Sequence, residues 1–262
     1  MGCGWLGLPL AKHLVSKGHV IKGSTTSESK ISNLKRNGVE PFLIDLRAVQ
    51  STAEISKFLA SEFLVIAIPP RVKHHNNFKE QIESLISFIE KSTIKKVIFI
   101  SSTSVYPNTN NLVTEEDISI PESDSGIVLL EVERLLQSNK FFQTTILRMA
   151  GLYGYDRQPG RFLAGKKELV NADGKVNLIH QDDCIQIINN VLEKQLWNEV
   201  YNCCSDEHPT RQEFYTKAAL TLGMEPPEFL PKEKSVFKII SNQKLKAALN
   251  YEFIHPDPMA SD

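Results

Sequence analysis

Met1-Gly2-Cys3-Gly4-Trp5-Leu6-Gly7 carries a G-x-G-x-x-G pattern, and its reading decides the fold. In a dinucleotide-binding βαβ unit the three glycines have separate duties. The first allows the tight turn out of a strand, and the second lets a pyrophosphate approach bare backbone. The third lets the next helix pack closely on the sheet. The pyrophosphate then sits on unpaired amides at a helix N-terminus, where the macrodipole favours an anion. The pattern makes Gly2, Cys3, Gly4, Trp5, Leu6 and Gly7 expected cofactor contacts. Such a motif follows a buried strand, and here only Met1 precedes it. The first strand therefore reads as truncated, with the chain starting at an internal methionine some 5–10 residues inside a longer frame. The sheet should then show a gap beside its second strand, or a borrowed segment filling it.

Working outward, 262 residues with 41% hydrophobic content can bury a sizeable core. A net charge of −1 offers no general attraction to nucleic acid or anionic lipid. No apolar run approaches the roughly 20 residues of a membrane span, and no signal peptide is recognisable. Cys3, Cys184, Cys203 and Cys204 lack C-x-x-C spacing, so neither a disulfide framework nor a metal site is expected. The expectation is a cytoplasmic monomer or homodimer acting on a small molecule, with no nucleic-acid or membrane partner.

Strand and helix patterns alternate along the chain. Residues 8–17 have apolar positions at helical spacing and stop at Gly18. A strand over 19–23 and a helix over 27–36 follow. Residues 39–44 and 63–68 are buried-strand runs flanking a helix over 51–60. Residues 78–91 form an amphipathic helix with Ile82, Leu85, Ile86 and Ile89 on one face. Further strands are predicted over 96–100 and 144–147, and further helices around 131–136, 182–193 and 211–222. This alternation predicts an α/β fold, a doubly wound parallel Rossmann sheet. Residues 1–154 form its dinucleotide-binding domain. Residues 155–262, richer in proline, form a small C-terminal substrate lobe interleaved with the last Rossmann elements.

NAD-binding units usually place a carboxylate at the end of the second strand, on the ribose 2′-hydroxyl. Here that position holds Gly23-Ser24-Thr25-Thr26-Ser27, with Lys30 shortly after. Ser24, Thr25 and Thr26 are expected cofactor contacts, hydroxyls and Lys30 suit a 2′-phosphate, and no carboxylate repels it. NADP is the expected cofactor, with NAD as second choice.

Ile100-Ser101-Ser102-Thr103-Ser104-Val105-Tyr106 resembles the S-S-x-x-V-Y segment of extended short-chain dehydrogenases, the NAD-dependent epimerase/dehydratase family. Asp45-Leu46 is similar to the family's Asp-Leu at the adenine. Residues 147–154, including Gly151 and Leu152, resemble the stretch whose backbone faces the nicotinamide. Val176-Asn177-Leu178-Ile179-His180-Gln181-Asp182-Asp183 is similar to the later I-H-x-x-D segment, and Val200-Tyr201-Asn202 also fits. The resemblance implies cofactor contacts from Asp45, Leu46, Ser101, Gly151 and Leu152, to which Ile68, Pro69 and Pro70 are added. It implies catalytic roles for Ser102 and Tyr106.

The family also uses a Tyr-x-x-x-Lys pair on the helix after that segment. Aligning on Glu133-Arg134-Leu135-Leu136 puts Ser125 and Leu129 in its place, and no tyrosine or lysine lies between Pro107 and Gln137. The expected activity is an oxidoreductase or epimerase-like reaction with a nonstandard proton donor; the alternative is an NADP-binding sensor without turnover. His180 reads as ordering a turn, Asp182 and Asp183 as helix caps, and His74-His75 as an exposed helix start. Trp5 reads as packed against a helix, and Cys203-Cys204 as ordinary buried thiols.

Overall fold

The computed structural model describes residues 1–48, 51–70, 77–118, 120–231 and 235–260. In chain order the elements are α1 (Gly7–Ser16), β1 (Ile21–Thr25), α2 (Ile31–Arg36), β2 (Val39–Leu43), α3 (Thr52–Leu59), β3 (Phe63–Ile66) and α4 (Phe78–Ile89). Then come β4 (Lys96–Ser102), β5 (Leu112–Val113), α5 (Asp124–Gln137), β6 (Gln143–Met149), β7 (Gly151–Tyr153) and α6 (Gly160–Leu163). The chain ends with β8 (Leu178–His180), α7 (Gln181–Glu193), β9 (Val200–Cys203), α8 (Arg211–Thr221), β10 (Ile239–Ile240) and α9 (Gln243–Leu249).

Local chemistry sets the element ends. Gly18, at φ +89°, takes the left-handed position after α1, and its N–H and that of His19 return to the carbonyls of Val15 and Leu14. On α4, Phe78, Ile82, Leu85 and Ile89 are all buried, as the predicted face requires. Ser123 caps α5 by accepting from Gly126 N–H at 3.1 Å. Thr210 and Glu213 form a reciprocal capping box at the start of α8.

Two sequence boundaries shift. The strand expected from residue 19 begins at Ile21, because Val20 is 91% exposed. The helix expected over 27–36 splits into a single 3₁₀ turn (Glu28–Lys30) and α2. The short pairs β5–β10 and β7–β8, both parallel, fall in stretches to which the sequence pattern assigns no strand.

The doubly wound sheet is interrupted. β1 pairs with β2 in parallel, Ile21 opposite Val39 through Thr25 opposite Leu43. The larger sheet has the order β3-β4-β6-β9, with β3 and β4 parallel. Between β1 and β3 lies a cleft of about 650 Å³, lined by Ile21, Phe63, Leu64, Leu10 and Leu14. At its end the backbone of Met1 donates to Val65 O and accepts from Ala67 N, while Cys3 N–H donates to Ser24 O. This is the hydrogen-bond pattern of a parallel ladder, supplied by three residues only. The gap expected from the sequence is thus present.

The chain packs as two units that do not divide at residue 154. The first comprises Met1–Ser101, Ser123–Leu147 and Ile188–Val200; the second comprises Ser102–Glu122, Arg148–Ile187 and Tyr201–Asp262. The loop after β4 and the segment after β6 leave the carboxyl ends of their strands for the second unit. Interleaving therefore begins at Ser102, earlier than a contiguous boundary allows. No helix among the described residues is long and apolar enough to cross a membrane.

Candidate cofactor and active site

In the first unit the glycine motif forms the turn that its spacing predicts. Gly2 has φ +90°, and a Cβ there would lie 2.8 Å from both Ala67 O and Ile68 Cγ2. At Gly7 a Cβ would lie 2.2 Å from Gly2 O, so α1 starts directly against the turn. A Cβ on exposed Gly4 would meet nothing within 4 Å. Two glycines are thus required by packing, while the middle one leaves backbone open to a ligand. The first turn of α1 has no side-chain cap; Leu8 N–H returns to Gly4 O at 3.1 Å and Pro9 carries no N–H, so the helix starts directly on the turn with its positive end toward the glycine motif. Leu6 is buried and Trp5 and Cys3 are half-buried beside the turn.

A cleft of about 260 Å³ runs from this turn past the ends of β1 and β2 to Ile68-Pro69 and the start of α4. Ser24 is 2% exposed, and its Oγ accepts from Gly2 N–H at 2.9 Å. That hydroxyl therefore braces the turn. Thr25 Oγ1 accepts from Ser27 N–H at 3.1 Å. Thr26 and Lys30 are exposed on the rim. Asp45 accepts from Arg47 Nε at 2.7 Å and from Nη2 at 2.5 Å. Arg47 is the cation not expected from the sequence, because it lies four residues past the end of β2, outside the Ser/Thr stretch after β1. Its guanidinium places positive charge on the same rim as Lys30 and partly neutralises Asp45. Pro70 lies just past the cleft, and His74-His75 fall outside the described residues.

Ser101, the last residue of this segment of the first unit, donates to buried Glu133 Oε1 at 2.5 Å. In the second unit, half-buried Ser102 accepts from Ser104 N–H at 3.1 Å, capping one 3₁₀ turn. A hydroxyl has one hydrogen and two lone pairs, so Ser102 keeps its hydrogen to donate. Tyr106 is 2% exposed. Its hydroxyl donates to Asn202 Oδ1 at 2.9 Å and accepts from Arg148 Nη1 at 2.5 Å. Burial pushes this phenol up to about 12, against the opposing pull of Arg148. Tyr106 is therefore a neutral phenol, locked at both of its polar contacts. Gly151 leads β7, its N–H bonded to Asn177 O at 2.9 Å, and Leu152 follows half-buried.

On α5, Ser125 lies within 3.3 Å of Ser123 Oγ at the exposed helix start, and Leu129 is 3% exposed in the core. Cys184, Cys203 and Cys204 are buried, and burial pushes each thiol up.

Residues 2–204 match the NAD dependent epimerase/dehydratase family. Protein YeeZ of Escherichia coli K12 is 33% identical over 264 residues, 99% of this chain and 96% of YeeZ. A conserved Silicibacter pomeroyi protein of unknown function superposes with a TM-score of 0.80 at 21% identity, covering 98% of this chain and 93% of its own. A UDP-glucuronic acid 4-epimerase from Bacillus cereus, solved with a fluorinated substrate analogue and NAD, also gives 0.80. Its identity is 20%, with coverage of 98% and 95%. At those identities the two structures show a shared fold.

Proposed function

The chain belongs to the NAD dependent epimerase/dehydratase family, and on that premise we propose that it is an NADP-preferring enzyme of oxidoreductase or epimerase type. Its substrate is a small carbonyl or hydroxyl metabolite. The observation that carries the reading is the open Gly4 turn beside a rim holding Thr26, Lys30 and Arg47, where the one carboxylate among the described lining residues, Asp45, is held by Arg47. When bound, the cofactor supplies the hydride chemistry. The exposed Gly4 backbone and the positive end of α1 hold its pyrophosphate, and the rim cations and Thr26 hold the 2′-phosphate. Ile68 and Pro69, in the same unit, bound the cofactor further by backbone and apolar contact.

The family's Tyr-x-x-x-Lys pair has no counterpart in this reading. Ser125 is too short to replace a phenol, and Leu129 has no polar atom. Ser102, with its hydroxyl hydrogen available, is the proposed proton-handling group. Tyr106 serves to fix Arg148 and Asn202 around it. Ser102→Ala should lower the rate of NADPH consumption with a carbonyl substrate by about 10²-fold or more. NADPH affinity should hold within about twofold, and Ser125→Ala should change neither. Unchanged turnover in Ser102→Ala would place the proton donor elsewhere. The loss of the usual pair favours the second reading, an NADP-binding sensor. NADPH binding with no turnover across a broad carbonyl panel would select it.

A further inference from the structure

Three side chains with metal-binding atoms converge in the second unit, in a cluster separate from the proposed cofactor contacts. They are His180 at the end of β8, Asp182 in the first turn of α7, and His255 in the C-terminal segment. One donor atom from each lies within 4.8 Å of the others. Asp182 Oδ2 is 3.1 Å from His255 Nε2 and 3.3 Å from His180 Nδ1. Around a tetrahedral zinc ion with bonds of about 2.0–2.2 Å, neighbouring donors are separated by about 3.3–3.6 Å. Two of the three edges thus lie within a few tenths of an ångström of what an ion would impose.

The surrounding bonds prepare this set. His180 Nδ1 accepts from Asp182 N–H at 3.2 Å, so this nitrogen is unprotonated, and an ion bound there would take over its one lone pair from that amide. Tyr155 donates its hydroxyl hydrogen to Asp182 Oδ1 at 2.8 Å, leaving Oδ2 turned toward the imidazoles. The next residue, Asp183, is fully buried and fixes the third ligand's backbone. It accepts from Ile254 N–H at 2.7 Å, from His255 N–H at 3.1 Å and from Tyr251 Oη at 2.8 Å. The His180 and His255 rings touch, with centroids 3.7 Å apart at 39°. Ligation requires them to splay. His255 has room to turn, being on irregular chain with its side chain 26% exposed.

We propose that His180, Asp182 and His255 bind a divalent transition metal of the zinc class, with water completing the coordination. Two imidazoles and one carboxylate suit zinc, cobalt or nickel far better than magnesium or calcium. The bound ion would staple the C-terminal segment to the start of α7.

The test uses the full chain, stripped with a chelator and dialysed against zinc chloride, with metal measured by elemental analysis. About one equivalent should remain, with a Kd near 10 μM or tighter, and zinc should raise the melting temperature. His255→Gln and His180→Gln should each weaken binding at least tenfold, whereas His13→Gln, in α1 of the first unit, should not. Cobalt substitution of the wild-type chain is an independent readout: it should give visible bands of a nitrogen-ligated, low-coordinate ion. The proposal is overturned by absence of a stoichiometric site, by a hexaaqua-like cobalt spectrum, or by wild-type affinity in the double variant. None of these outcomes depends on which dinucleotide the protein binds.

Discussion

Gly4→Ala should weaken dinucleotide binding by at least about tenfold while leaving the melting temperature within about 1 °C of the parent. Gly7→Ala should lose both. The contrast follows from what an added methyl meets. At Gly7 it would sit 2.2 Å from Gly2 O, a backbone atom unable to move without opening the turn. Overpacking of that kind typically costs 1–3 kcal/mol, which in a chain of this length lowers the melting temperature by about 3–10 °C. At Gly4 the methyl meets no protein atom within 4 Å, so only a ligand pressed against that backbone would feel it. Calorimetric binding and thermal melts of the two variants check the pair. Full affinity in Gly4→Ala would mean that the pyrophosphate does not approach this turn.

A larger gain in stability is expected from an apolar segment of about five to six residues fused directly ahead of Met1. The cleft between β1 and β3 presents two strand edges, and Met1 to Cys3 already make ladder bonds to both. A strand entering there pairs on both sides and buries its side chains against Leu10, Leu14 and Phe63, each such burial worth about 1.5–3 kcal/mol. The fusion also removes a buried charge. The Met1 amino group donates to Val65 O, and burial pushes it down to about 6 from its ordinary value of 8.

The sign of the pH effect follows. The unfolded chain binds more protons than the folded one between pH 6 and 8. Stability is therefore highest above pH 8 and falls as pH drops through 6, by on the order of 3 kcal/mol. The extended protein should melt at least about 5 °C higher near pH 6, lose this pH slope, and bind dinucleotide more tightly. An extension that leaves the melting temperature and the slope unchanged would show that the cleft does not accept a strand.

The sequence was most legible where periodicity and backbone need coincide. The face of α4, the stop at Gly18 and the tight packing at Gly2 and Gly7 follow from residue type and spacing alone. What escaped were contacts between residues far apart in the chain. Arg47 reaches Lys30's rim through the pairing of β1 with β2, and His255 reaches Asp182 across 73 positions. No local pattern marks either. Tyr106 could be placed by resemblance, but its locked state depends on Arg148 and Asn202, 42 and 96 residues away.

The central claim is that the rim beyond β1 selects a 2′-phosphate. Its most direct test is titration calorimetry of the wild-type chain with NADPH and NADH under one buffer and salt. A charge-assisted hydrogen bond contributes about 1.5–3 kcal/mol, so a single contact predicts at least about tenfold tighter binding of NADPH. Lys30→Ala should shrink that ratio without weakening NADH. Equal affinities, or tighter binding of NADH, would contradict the account.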